Sequence, residues 1–193
     1  MDDGQGIEQS WMNVQIPLPR PPFSWCWILG IFFATGLVAG PAIAENPAHV
    51  RQLLETRQCP NCDLRGANLM DANLFKANLA GANLEGAYLA GVNFFGANLQ
   101  NANLNRANLY LAILVNADLS HAQLEGARLT IANLVNANLS QTNLTRAQLM
   151  GANMIDVNLT GANLTEADLS RANLSGANIT DTVLPFLPNG EGN

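Results

Sequence analysis

The sequence predicts an all-β solenoid, and three observations predict it. From Cys62 to Phe186 the chain divides into 25 pentads without one insertion. Each pentad carries a small residue first, commonly Asn second, and Leu third. On an extended segment the first and third side chains therefore point inward and the second points out. Finally, a five-residue unit cannot stand alone. Ordering it costs about 7 kcal/mol at ~1.5 per residue, whereas one buried Leu and an Ala methyl return about 3 kcal/mol. The deficit closes only when backbone groups pair with neighbouring units, so the pentads must stack.

The chain opens with a leader. Residues 23–39, FSWCWILGIFFATGLVA, are apolar and uncharged, Arg20 precedes them, and PAIAEN follows with small residues at Ala42 and Ala44. That order predicts a secretory signal peptide over residues 1–44, cleaved after Ala44. The alternative is an uncleaved anchor with membrane contact through residues 23–39, although this run is marginal for a span of ~20 residues. Either way the repeat region leaves the cytoplasm.

Residues 45–61 predict a capping helix and linker. In NPAHVRQLLETR, Asn46 is placed as N-cap and Pro47 in the first turn, with Val50, Leu53 and Leu54 on one apolar face. An open solenoid exposes an apolar cross-section and unpaired backbone, so this helix is expected to lie over the first coil. CPNC joins the helix to the repeats. In an exported protein, Cys59 and Cys62 favour a disulfide; free thiols are the next reading, and a redox motif lacks its βαβ context. At the other end, Leu184, Phe186 and Leu187 are expected to plug the rod, with Pro185 and Pro188 stopping further strand pairing and residues 187–193 forming a tail.

Within the repeat, Asn and Asp suit tight turns because their side chains hydrogen-bond local backbone. Gly66, Gly81, Gly86 and Gly91 fill the fifth place, where a corner needs backbone freedom. The segment ANLMDANLFKANLAGANLEG resembles the pentapeptide-repeat family, and the resemblance extends over residues 62–186. It implies a right-handed quadrilateral β-helix with four pentads per coil and about six coils. Departures are mild: Tyr88, Ile113 and Arg128 replace Asn, while Val92, Thr142, Val157 and Thr182 replace Ala. CPNCDLRGANL after a short helix is similar to exported cyanobacterial members, some of the thylakoid lumen. The compartment expected is therefore the thylakoid lumen or the periplasm.

Twenty residues per coil place positions twenty apart in one column. Leu74, Phe94, Leu114, Leu134, Met154 and Leu174 then share an inward column, which gathers the two exceptions Phe94 and Met154. Among outward columns, Phe75, Phe95, Val115, Val135 and Ile155 form an apolar run expected to face solvent. Met70, Tyr110 and Met150 adjoin it, with Leu111 and Ile131 at the shared corner and Ile113 beside them. Together they predict a strip about 20 Å tall and several hundred Å² in area, at the upper end of what a soluble monomer leaves bare. β-propensity accounts for such residues singly but not for their confinement to one side.

No catalytic constellation, cofactor motif or metal-ligand spacing is evident. His49 and His121 lie on separate elements, and the glycines keep a corner register rather than cradling phosphate. Arg146 and Glu166 share an outward column and predict a surface ion pair. From Glu45 onward 12 acidic and 8 basic residues leave about −4, which disfavours a nucleic-acid binder. The expected function is a non-enzymatic exported scaffold or protein-binding module, whose strip meets a protein partner, a second copy or a membrane. Resemblance to the family also implies an alternative, a DNA-mimicking regulator of a topoisomerase, disfavoured by export and weak acidity. A second alternative is an ice- or surface-binding solenoid using the column Ser120, Ser140, Thr160, Thr180.

Overall fold

A computed structural model describes residues 46–185. The leader over 1–44, its cleavage site, Phe186, Leu187, Pro188 and the tail lie outside the described residues.

Helix α1 runs Pro47–Thr56. The Asn46 side chain accepts from the backbone N–H groups of Ala48 and His49, which would otherwise be orphans of the first turn. Arg57 closes the helix in the left-handed region and donates its N–H to the Leu53 carbonyl at 2.8 Å. Leu53 is fully buried and Val50 is packed against the core, whereas Leu54 is exposed. The expected Val50–Leu53–Leu54 face is thus narrower, because Leu54 sits about 100° round the helix from Leu53.

Beyond Gln58 the chain climbs as parallel single-residue bridges, every one pairing residues twenty apart, from Gln58–Asn78 to Asn163–Val183. Four pentads therefore complete one turn, and the rod has four faces. We number them by their first pentads: face 1 from Cys62, face 2 from Ala67, face 3 from Ala72 and face 4 from Ala77.

In most pentads with Asn or Asp in second place all five amides are paired, and this explains the repeat phrase; the pentad of Asn153, whose Oδ1 has no partner, is an exception. Around face 1, the second-place Asn83 donates to Cys62 on the preceding coil at 2.8 Å, and the third-place Leu64 donates to Asn83 on the next coil at 2.7 Å. The fifth-place Gly66 reaches the next coil at Glu85, and the first-place Ala67 turns back on Leu64. The fourth amide has no backbone partner, and the second-place side chain supplies one: Phe75 N–H donates to Asn73 Oδ1 and Ser140 N–H to Asn138 Oδ1. Asn recurs because its carboxamide pairs a donor that the coil cannot.

Every fifth place from Asn61 to Asp181 has positive φ. Glycine adopts this freely, but Leu111 and Ile131 hold it too, both at φ 58°. Inside, Ala and Leu columns form one continuous core from Leu53 to Ala167. Phe94, Met154, Val92 and Val157 are all buried in it. Thr142, buried at a small-residue place, donates its hydroxyl to the Leu139 carbonyl at 2.6 Å. Toward the last described coil Leu169 and Leu174 become partly exposed, and Ile179 and Leu184 are about half exposed.

Candidate interaction surface

The apolar strip occupies faces 2 and 3 and the corner between them. Along a coil the chain passes from the fourth place of face 2 (Met70, Tyr110, Met150) through the corner (Leu111, Ile131). It then enters the second and fourth places of face 3 (Ile113; Phe75 to Ile155). Met70, Phe75, Tyr110, Leu111, Ile113, Ile131 and Met150 are exposed.

The Phe75 column differs from expectation. Only Phe75 itself, at 37%, is exposed; Phe95, Val115, Val135 and Ile155 are half-buried. Coils ~4.8 Å apart let each side chain cover its neighbour. The Phe75 and Phe95 rings stack with centroids 5.5 Å apart, and Lys76 Nζ lies 5.2 Å from the Phe75 centroid. The column is a smooth ridge, flanked by more prominent corner residues.

Among the non-glycine fifth places, which also include Lys76, Arg106, His121 and Gln141, Leu111 and Ile131 are the apolar ones. Leu111 and Ile131 are 48% and 51% exposed, yet each holds a left-handed backbone that disfavours branched side chains. Such a conformation costs on the order of 1–2 kcal/mol per residue. Asn, which fills Asn116 and Asn136 one corner on, would avoid most of that cost.

The opposite faces are polar and internally satisfied. On face 4, Asn138 donates to Asp118 and Asn158 donates to Asn138, both at 3.1 Å, and Gln100 also donates to Asp118. Burial pushes the Asp118 carboxyl up, but hydrogen bonds from Ser120, Gln100 and Asn138 outweigh it and hold it below its ordinary value. The hydroxyls of Thr145, Thr160, Thr165 and Thr180 donate to Asn side chains of their own pentads. At the corner after face 1, Arg146 binds Glu166 at 2.7 Å and approaches Glu125 at 3.9 Å.

At the helix junction Cys59 and Cys62 are joined as a disulfide, both buried. His49 Nδ1 accepts the Asp63 N–H at 3.0 Å, tying α1 to the first pentad. The Arg65 guanidinium beside Asp63 holds that carboxyl down at about 2. Among the described residues no cluster of three His, Cys, Asp or Glu side chains could hold a metal ion. None of their helices is long and apolar enough to cross a membrane.

The family profile for pentapeptide repeats matches eight copies, over residues 61–91, 93–130, 132–171 and 147–184. The chain belongs to the pentapeptide-repeat family. Proteins of this family form right-handed quadrilateral β-helices and are generally structural or binding modules rather than enzymes. Among solved structures, the chain is similar to HetL, a protein involved in regulating heterocyst differentiation in the cyanobacterium Nostoc. They share 26% identity over 66% of this chain and 76% of that one, with a TM-score of 0.38. A pentapeptide-repeat protein of the Arabidopsis thaliana thylakoid lumen shares 32% identity over 53% of this chain and 70% of that one, with a TM-score of 0.36. A third, from the cyanobacterium Cyanothece, shares 29% identity over 72% and 98% of the two chains, with a TM-score of 0.31. No curated protein sequence matches the chain.

Proposed function

We propose that the chain is a non-enzymatic, exported protein-binding module whose apolar strip on faces 2 and 3 is the contact surface. The observation that carries this reading is the pair Leu111 and Ile131, exposed apolar side chains on a backbone that disfavours them. A surface position that contradicts local preference without a gain inside the fold points to a gain outside it. The proposal includes a rod of about six coils, with α1 as the lid of its first coil. It also includes a signal peptide over residues 1–44 that delivers the rod to the thylakoid lumen or periplasm. Export and mild acidity argue against a DNA-mimicking role, and no observation favours it or an ice-binding one.

The test separates binding from folding. Replacing Leu111 and Ile131 together by Asn suits the left-handed corner and removes the apolar knobs. Affinity capture from native cells is then run with the natural chain and with this variant. The proposal expects a partner, or a second copy, retained by the natural chain and lost by a variant that is at least as stable. Equal recovery by both would overturn it.

A further inference from the structure

The layout of the strip fits one occupant, a second copy of this chain. This inference rests on the reading of the strip as a contact surface and specifies what covers it. We infer that two copies pair side by side and antiparallel through face 3. Their two-fold axis lies in the interface, perpendicular to the rod, at the coil that carries Leu111, Ile113, Val115 and Asn116. In that arrangement each column meets itself in reverse. Leu111, Ile113 and Val115 meet their own counterparts, while residues two coils above the axis meet those two coils below.

Two features of the columns fit this symmetry, and a third contact needs one side chain to move. In the corner column Lys76, Gly96, Asn116, Asn136, Asp156, the two charges have opposite sign and stand two coils either side of Asn116. Lys76 of each copy therefore meets Asp156 of the other, giving two ion pairs. In the corner column before face 3, the Ile131 knob meets Gly91, where the Asp71 carboxylate of the preceding coil lies and must swing aside. Across the face, Phe75 meets Ile155, Phe95 meets Val135, and Asn73 and Asn93 meet Asn153 and Asn133. Apolar columns thus cover apolar columns and carboxamides cover carboxamides.

A parallel pair would also bring Lys76 to an acid, Asp71, so charge alone does not choose between them. The columns do. Parallel rods would lay the Asn73 column on the Phe75 column and Ile131 on Asn136, burying amide groups against apolar surface. Five coils at ~4.8 Å and about five residues at ~3.3 Å give roughly 400 Å² of face per copy. Met70, Tyr110 and Met150 add rim contacts from face 2. The total of about 1,000 Å² lies below that of permanent complexes, so the dimer is a reversible one.

The experiment is sedimentation of the full chain, natural and substituted. Lys76→Asp and Asp156→Lys each place like charges together twice and should weaken the dimer about tenfold. The double exchange should restore it. Both positions have positive φ near 53°, so the exchange leaves the corner backbone alone. Single substitutions without effect, or a double exchange without rescue, would overturn the antiparallel pair. Rescue of Lys76→Asp by Asp71→Lys would establish the parallel pair in its place.

Cross-linking gives a second readout if any exchanged chain fails to fold. In a Cys26→Ser background, Ile113→Cys should cross-link to its own counterpart on the two-fold axis. Phe75→Cys should not, because two such residues stand about 19 Å apart. The reverse pattern overturns the axis. A chain that stays monomeric at high concentration overturns the dimer. If the Leu111→Asn, Ile131→Asn variant still loses a captured partner, the binding-module reading survives alone; if capture is also unchanged, both fall.

Discussion

Asn138 donates its side-chain amide to the Asp118 carboxylate at 3.1 Å, one coil away in the same column. Asp118 also accepts from the Ser120 N–H and from Gln100, so a single carboxylate links three successive coils of face 4.

That link predicts an acid-sensitive contribution. Asp118 is lowered from its ordinary value of 3.8, so its stabilisation is complete above about pH 4 and is lost as pH falls through the lower folded value. Replacing it with Asn should cost about 1 kcal/mol at neutral pH, as expected for a partly exposed charged hydrogen-bond acceptor. Thermal melts of both chains from pH 7 to pH 2 should show the gap closing below pH 4. A gap that does not narrow as the pH falls below 4 would contradict the assignment.

The corner glycines separate backbone strain from steric conflict. At Gly86, with φ 64°, an added Cβ meets nothing within 4 Å. Alanine there should cost only the left-handed conformation, about 1 kcal/mol. At Gly91, with φ 67°, the Cβ would run into the Asp71 carboxylate on the preceding coil. Gly91→Ala should therefore cost more than Gly86→Ala, and Asp71→Ala should erase the difference. Urea midpoints of the three chains and of the Gly91, Asp71 double variant measure this.

Phe94 is the largest fully buried side chain among the described residues and shares its column with Met154. Truncation to Ala should cost about 3–5 kcal/mol, since the adjacent Leu74 and Leu114 are held by their own coils and cannot collapse into the space. Phe94→Leu restores the commonest residue of that column and should recover more than half of the loss, read by urea unfolding.

Reduction of Cys59–Cys62 should lower stability by about 2 kcal/mol, because the loop it closes is short. Both sulfurs are buried where α1 meets the first coil, so the natural chain should resist reductant until it begins to unfold. The melt of the reduced chain should coincide with that of a Cys59→Ala, Cys62→Ala chain, and both should lie below the melt without reductant.

Much of this was legible in the sequence because the period is short and unbroken. Columns twenty residues apart, the inward place of Phe94 and Met154, and the corner role of the fifth place all follow from counting. Shielding between stacked neighbours does not. Phe95, Val115, Val135 and Ile155 point outward as the alternation requires, yet each is half covered by the same column one coil away. Leu54 escaped for a related reason: adjacent helical residues differ by about 100°, and only Leu53 turns to the coil. The strain at Leu111 and Ile131 was present in the register, since both stand at the fifth place, but its significance needed the backbone angle and the exposure together.

The unvarying twenty-residue offset between bridged residues also sets how such a gene can change length. A duplication or loss of four pentads adds or removes a storey and leaves every later residue above its old column. One extra pentad would instead rotate the entire downstream half by a quarter turn. Inserted after Asn116, it would carry Val135 and Ile155 to the neighbouring face and leave Phe75 and Phe95 behind. Length in this protein is therefore quantised by orientation, and the apolar side survives only in steps of a whole turn.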